Sequence, residues 1–287
     1  MTTAGLDRPQ AESGAARFLE KEAQLRARLG SLGSVVVAFS GGTDSAYLAY
    51  QASSVLGDRA LCVTGDSPSY PARHRKIATD LADQFHLRHQ FIVTAEIDNP
   101  DYRANAPDRC YHCKHELFTH LTKLARELGM AAVMDGANAD DRGDYRPGRR
   151  AARELGVLSP LDEADLTKDE IRELSKLAGL PTWNQPASAC LSSRIPYHSE
   201  VTPEKLRTIE RAEEVLQSLG FRICRVRHHD NLARVELGPD EMMRALDPAV
   251  RETLVREIKA AGYQYVALDL QGYRMGSLNE GILLKSV

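Results

Sequence analysis

Three cysteines stand where sulfur could react or bind a metal. In RCYHCKHELF, residues 109–118, Cys110 and Cys113 are three apart at the start of a helical pattern. Residues i and i+3 share a helix face, so both sulfurs can grip one centre. The positive end of the helix favours thiolate. A zinc site needs four ligands, and with no second C-x-x-C in the chain His112 or His115 would have to serve. In PASACLSSRIPY, residues 186–197, Cys190 sits among small residues, with Ser192, Ser193 and Arg194 close behind. Three cysteines and one open iron can hold a [4Fe–4S] cluster that still takes an additional ligand. Cys62 and Cys224 lie inside apolar runs and are expected to be core thiols. The odd cysteine count and a start without an apolar signal segment predict a reducing, cytoplasmic setting.

A second chemistry is written in SVVVAFSGGTDS, residues 34–45. An uninterrupted β-branched run ends in a glycine pair and a helical pattern follows. Gly41 and Gly42 let the backbone turn sharply and approach an anion. Ser40, Thr43 and Ser45 offer hydroxyls, and the helix start offers N–H groups. Asp44 would repel phosphate unless a Mg²⁺ stands between them. No Walker A lysine and no G-x-G-x-x-G accompany the loop. The S-G-G-x-D-S pattern instead resembles the pyrophosphate loop of the ATP pyrophosphatases, which implies cleavage of ATP between its α- and β-phosphates. CVTGDSPSYP (62–71) and DGANADD (135–141) end later apolar runs. Ligands of open α/β sheets bind at such carboxyl ends. Thr64, Gly65 and Asp66 are therefore expected beside the adenosine, together with Gly136. Asp140 or Asp141 is a second metal candidate, or else a helix cap or turn residue.

The elements that must position these residues are legible as a rhythm. From Ser34 to about Gly179, short apolar runs alternate with helical patterns, which predicts a parallel sheet with helices on both faces. TKDEIRELSKLAGLP, residues 167–181, is a helix with Thr167 as its cap and Glu170 as capping-box partner. After Val201 the order changes to helix, hairpin, helix and strand. The expected architecture is a Rossmann-like ATP pyrophosphatase domain over residues 1–185 and a smaller α/β domain for substrate binding or oligomerisation over 186–287. On one strand of the second domain, alternation sets Arg225 and Arg227 on a shared face, suited to a bidentate grip on phosphate or carboxylate.

Composition excludes some classes. With 43% hydrophobic and 27% charged residues the chain is globular rather than disordered. A formal net charge of −3 disfavours a bulk nucleic-acid partner. No apolar run of about 18 residues predicts a membrane span.

Taken together, FSGGTDS, RCYHCK, DGANADD, YRPG, SPL, the long stretch KDEIRELSKLAGLPTWNQPASACLSSRIPY, RVRHH and GYRMGSLNE resemble the LarE family. Its members are ATP-dependent sulfur transferases of nickel-pincer nucleotide cofactor biosynthesis. The resemblance implies adenylation of the carboxylates of pyridinium-3,5-biscarboxylic acid mononucleotide and displacement of AMP by sulfur, giving thiocarboxylates. Some members sacrifice a cysteine, which becomes dehydroalanine; others use a three-cysteine [4Fe–4S] cluster carrying sulfide. In the sacrificial pattern the donor falls where this chain has Ala189. Cys190 and the RCYHCK pair together favour the cluster version, with Cys110, Cys113 and Cys190 as ligands. The resemblance also sets Arg194, Arg225, Arg227 and Glu236 around a small nucleotide substrate and implies homo-oligomers. The alternatives are sacrifice of the Cys190 sulfur, a tRNA thiolase, or an amide-forming ligase of the same class.

Overall fold

The computed structural model describes residues 8–143, 147–186, 189–274 and 276, and their side chains from Arg17 onward. The motif residues Tyr145, Arg146, Ala187, Ser188, Met275 and 277–280 lie outside the described residues. The chain forms two compact units.

The first unit comprises Met1–Asp66, Ala72–Thr94 and Cys113–Gln185. Its helices and strands follow in the order α1 (Arg8–Leu32), β1 (Val35–Ala38), α2 (Thr43–Leu56), β2 (Ala60–Asp66), α3 (Ala72–Gln84), β3 (His89–Val93), α4 (Arg109–Glu127, of which this unit holds the part from Cys113 on), β4 (Ala132–Met134), α5 (Pro147–Glu154) and α6 (Lys168–Leu177). The four strands are parallel in the order β3-β2-β1-β4. Central β1 is buried along its whole length, as its β-branched run requires. Val35 pairs with Ala60 on one side and with Ala132 on the other. Val35, Val37 and Cys62 share a core with Leu25 and Leu29 of α1, Tyr47 and Leu48 of α2, and Ile171 and Leu174 of α6. Burial pushes the Cys62 thiol up to about 12, so it stays a neutral packing group. The capping box of α6 is complete: Thr167 Oγ1 accepts from Glu170 N at 3.3 Å and the Glu170 carboxylate accepts from Thr167 N at 2.8 Å.

From β1 the chain moves outward through β2 and β3, then returns to place β4 on the other side of β1. The strand order therefore reverses between β1 and β4, the point beyond whose carboxyl ends open α/β sheets take their ligands. The glycine loop after β1 and the DGAN segment after β4 flank that point.

The second unit comprises Ser67–Pro71, Ala95–His112 and Pro186–Val287. It contains α7 (Pro203–Ser218), β5 (Cys224–His229), β6 (Leu232–Leu237), α8 (Pro248–Ala260) and β7 (Tyr265–Leu268). Strands β5 and β6 are an antiparallel hairpin and β7 joins β6 in parallel. Asp230 takes a φ of 52° to close the hairpin turn. A separate core joins Leu216, Phe221, Val226, Val235 and Ile258. Helix α4 begins at Arg109, where turn bonds from Arg109 N to Ala106 O and from Tyr111 N to Asp108 O lead into it, so the Cys110–Cys113 pair lies in the opening of the helix. Among the described residues no helix is long and apolar enough to cross a membrane.

Candidate active site

In the first unit the loop between β1 and α2 is built for close approach. Gly41 has a φ of 72°, and a Cβ there would stand 3.2 Å from Ala78 N. A Cβ on Gly136 would stand 3.0 Å from Ser45 N and 3.1 Å from its Cα. The DGAN backbone thus lies directly on the first turn of α2, which only glycine allows. Gly42 caps α2 without a side-chain hydrogen bond, so the first N–H groups of the helix are not taken by a capping side chain. The hydroxyls mostly shape the loop. Ser45 Oγ donates to Gly42 O at 3.1 Å and accepts from Ser40 N at 3.2 Å. Thr43 Oγ1 donates to Thr182 O at 2.8 Å. Thr64, buried in β2, donates to Phe39 O at 2.6 Å. Ser40 is exposed at the loop tip. The Gly41→Ala variant is expected to lose about 1–2 kcal/mol from the left-handed backbone alone, read in urea unfolding.

The aspartates divide by role. Asp44 Oδ2 pairs with Lys168 Nζ at 2.7 Å, whereas Asp44 Oδ1 is buried with no hydrogen-bond partner. An orphaned carboxylate oxygen beside a phosphate loop fits a divalent cation. Asp140 Oδ2 accepts from Lys168 N at 2.8 Å and so holds the start of α6. Asp141 is buried and its Oδ2 accepts from Asn138 N at 3.1 Å. Asp66 is ion-paired with Arg75, and a Cβ on Gly65 would meet Leu117 Cδ1 at 2.9 Å.

In the second unit Cys190 sits on a turn whose carbonyls are gripped by buried guanidinium groups. Arg194 Nη1 donates to Ala189 O at 2.7 Å and to Cys190 O at 2.8 Å. Arg109 Nη1 donates to Ser192 O, and Arg227 Nη1 to Ser193 O, each at 2.8 Å. The turn is also held by Leu191 N, which donates to Ser69 O at 2.9 Å. Tyr102 and Ser192 share a hydroxyl–hydroxyl bond of 2.6 Å.

The charges expected to meet substrate are engaged with each other. Arg194 forms a bidentate pair with Glu213, at 2.8 and 2.9 Å, and both are buried. Burial opposes both charges. The pair's attraction nevertheless lifts Arg194 above its ordinary value and holds Glu213 below the usual carboxylate range. Arg227 pairs with Glu236 at 2.8 Å, and Arg234 lies 3.3 Å from the other Glu236 oxygen. Arg225 donates to Cys224 O at 2.7 Å and lies over the Tyr273 ring; burial and then the nearby Arg194 charge lower its pKa. The shared face of Arg225 and Arg227 is real in β5, opposite Glu236 and Arg234 of β6.

None of the five cysteines forms a disulfide. Cys110 is exposed, and Cys113 and Cys190 are partly exposed. Cys110 and Cys190 belong to the second unit, and Cys113 opens the last segment of the first. Among the described residues no group of three or more His, Cys, Asp or Glu side chains converges to hold a metal ion.

Three residues that shape the site escaped the sequence pattern: Lys168, Arg109 and Glu213. Each carried a signal. Lys168 and Arg109 are cations at the first position of a helix, where the macrodipole disfavours them unless an anion recruits them. Glu213 is a charge on the apolar stripe of α7, beside Leu206, Ile209 and Leu216.

No family model matches the chain. Curated proteins do. The chain is 44% identical to an uncharacterised protein, slr1717, of Synechocystis, over 89% of this chain and 95% of that one. It is 36% identical to the pyridinium-3,5-bisthiocarboxylic acid mononucleotide synthase of Lactiplantibacillus plantarum, over 92% of this chain and 96% of the relative. A chain of the glutamine-hydrolysing GMP synthase of Thermoplasma volcanium is 27% identical over 64% of each sequence.

Proposed function

The chain belongs to the LarE family, the pyridinium-3,5-bisthiocarboxylic acid mononucleotide synthases, and from that premise we propose how its two units divide one reaction. It is a sulfur-transferring enzyme acting on the nickel-pincer precursor. Adenylation falls to the first unit. A substrate carboxylate oxygen attacks the α-phosphorus of ATP, and the bond to pyrophosphate breaks. The glycine loop and the opening turn of α2 take up the charge that collects on the departing pyrophosphate. Asp44 would hold a Mg²⁺ through its unpartnered oxygen, and the cation would neutralise phosphate charge. Lys168 stands beside it, ready to turn from Asp44 to a phosphate oxygen.

Sulfur delivery falls to the second unit. A sulfur anion attacks the acyl carbon, and the C–O bond to AMP breaks, leaving a thiocarboxyl group. Arg194, Arg227 and Arg109 fix the Cys190 turn through its carbonyls, so the sulfur is aimed without using its own contacts. By donor chemistry, Cys110, Cys113 and Cys190 would hold a [4Fe–4S] cluster, which when bound would present an additional sulfide. What supports this reading is the soft-donor chemistry of three thiols that form no disulfide, Cys110 exposed and Cys113 and Cys190 partly so. A second reading, in which Cys190 surrenders its own sulfur, is favoured by the partial exposure of that residue on a turn anchored through carbonyls.

What carries the proposal is the match to the named synthase along nearly the whole of both chains. The test is incubation with ATP, Mg²⁺, a sulfide source and pyridinium-3,5-biscarboxylic acid mononucleotide, following pyrophosphate and thiocarboxylate together. The Asp44→Asn variant is expected to release pyrophosphate about a hundredfold more slowly, with a raised Mg²⁺ requirement. Pyrophosphate release that ignores the dicarboxylate would overturn the substrate assignment.

A further inference from the structure

Glu213 is one buried carboxylate behind the Cys190 turn, and it acts through Arg194. Glu96 is a further one, 3% exposed and in the same unit. Its Oε1 accepts from Ser67 Oγ at 2.5 Å and from Ser69 Oγ at 2.8 Å. The two hydroxyls also lie 3.0 Å apart, and Ser69 N donates to Ser67 Oγ at 3.2 Å. Tyr70 N closes the turn on Ser67 O at 3.0 Å. One carboxylate oxygen thus gathers residues 67–70 into a fixed shape, through the kind of bond that is strongest for a hydroxyl donor.

That turn presents the Ser69 carbonyl, which accepts from Leu191 N at 2.9 Å. The Leu191 N–H and the Cys190 C=O belong to one peptide group, and a peptide group is planar. Its oxygen is held by Arg194 Nη1 and by Ser193 Oγ, each at 2.8 Å. Its N–H is held by Ser69. Gripped at both edges, the plane is restrained from rotating, which keeps Cys190 ψ at 158°. The preceding peptide is held through Ala189 O, which accepts from Arg194 at 2.7 Å and so keeps Cys190 φ at −61°. With both dihedrals set, the Cα–Cβ bond of Cys190 has one direction. Glu213 backs the arginine on one edge of the peptide and Glu96 backs the serine on the other.

We propose that Glu96 is a positioning residue for sulfur delivery: through Ser69 and the Leu191 N–H it fixes the peptide that orients Cys190. The role rests on the sulfur-transfer reading above. It serves both donor readings, because a cysteine that gives up its sulfur and one that ligates a cluster each need a fixed Cβ direction.

The test reads hydrogen exchange at the Leu191 amide of the full chain, resolved by fragmentation mass spectrometry, beside the yield of thiocarboxylate per pyrophosphate released. In Glu96→Ala the Leu191 exchange is expected to rise about tenfold, the effect of losing a buried hydrogen bond, while the amides of β1 keep wild-type protection. The yield per pyrophosphate should fall about tenfold with it. Glu96→Gln keeps an acceptor oxygen and should stay within about threefold of wild type on both readouts. Ser69→Ala keeps the carbonyl and loses one of the two hydroxyls, so a rise of about threefold at Leu191 is expected, and this variant decides if Glu96→Ala does not fold. Unchanged Leu191 exchange in the folded alanine variants overturns the proposal, as does a loss of protection that extends equally to β1. A glutamine variant as defective as the alanine one also overturns it. So does faster Leu191 exchange with a wild-type yield, since the bond would then not orient the sulfur. Failure of the sulfur-transfer reading is distinguishable: the wild type would make no thiocarboxylate, yet Leu191 exchange would still respond to Glu96.

Discussion

Replacing Cys190 by serine is expected to stop thiocarboxylate formation, by more than about a hundredfold, while ATP-dependent pyrophosphate release continues. The separation follows from how the turn is built. Its hydrogen bonds to Arg194 and Ser193 are accepted by the Cys190 carbonyl, not by the sulfur. Serine keeps that carbonyl and loses only the nucleophile or ligand. The glycine loop belongs to the other unit, which has its own core. Mass spectrometry of the wild-type Cys190 peptide after turnover then separates the two donor readings. An intact cysteine with bound iron and sulfide supports the cluster. A loss of about 34 Da, one H₂S, marks conversion to dehydroalanine. If the serine variant still makes thiocarboxylate at the wild-type rate, Cys190 has no part in sulfur delivery.

The second large effect concerns Glu213. Removing its carboxylate as Glu213→Ala leaves Arg194 charged and buried, with an expected cost of about 3–5 kcal/mol in urea unfolding. Glu213 also accepts from Val226 N at 3.0 Å, so β5 loses an anchor in the same step. A double replacement by apolar residues, Glu213→Leu with Arg194→Met, should recover part of that stability, since it removes both charges. It should not recover sulfur transfer, because the carbonyls of Ala189 and Cys190 lose their donor. The pH dependence has a definite sign. The folded value of Glu213 lies below that of the unfolded chain: burial pushes it up, but the Arg194 charge and hydrogen bonds outweigh burial. The pair's contribution is therefore present in full above the ordinary glutamate range and is lost as pH falls through the depressed folded value. Acid unfolding of the wild type should carry this dependence and Glu213→Gln should lack it. Parallel acid curves would show that the pair does not contribute.

The parallel sheet was legible because its inner strands β1 and β2 are buried apolar runs, each followed by a helical pattern. Thr167 and Glu170 form the expected reciprocal cap, and Gly41 and Gly42 stand at the expected strand-to-helix turn. What was not legible was tertiary partnership. Thr43 looks like a free hydroxyl donor in one dimension, yet it supports the Thr182 carbonyl, and Thr64, expected beside the adenosine, supports that of Phe39. Arg194, expected at the substrate, is paired with Glu213 nineteen residues away, a partner that spacing does not announce. Nor does the linear order disclose that Ser67–Pro71 and Ala95–His112 belong to the same unit as Cys190. Such assignments depend on contacts between segments far apart in the chain, which neither periodicity nor spacing encodes.

If the glycine loop holds the nucleotide as proposed, the salt bridge between Asp44 and Lys168 has a consequence for traffic through that site. A cradle of bare amides and a loose lysine would soak up inorganic phosphate and every other small anion of the cell. With the lysine already held and a carboxylate standing guard, an anion that arrives without a cation meets repulsion. On the reading proposed above, a nucleotide that brings its own Mg²⁺ would engage Asp44 and free Lys168, so the lock would open to the key that carries its own metal.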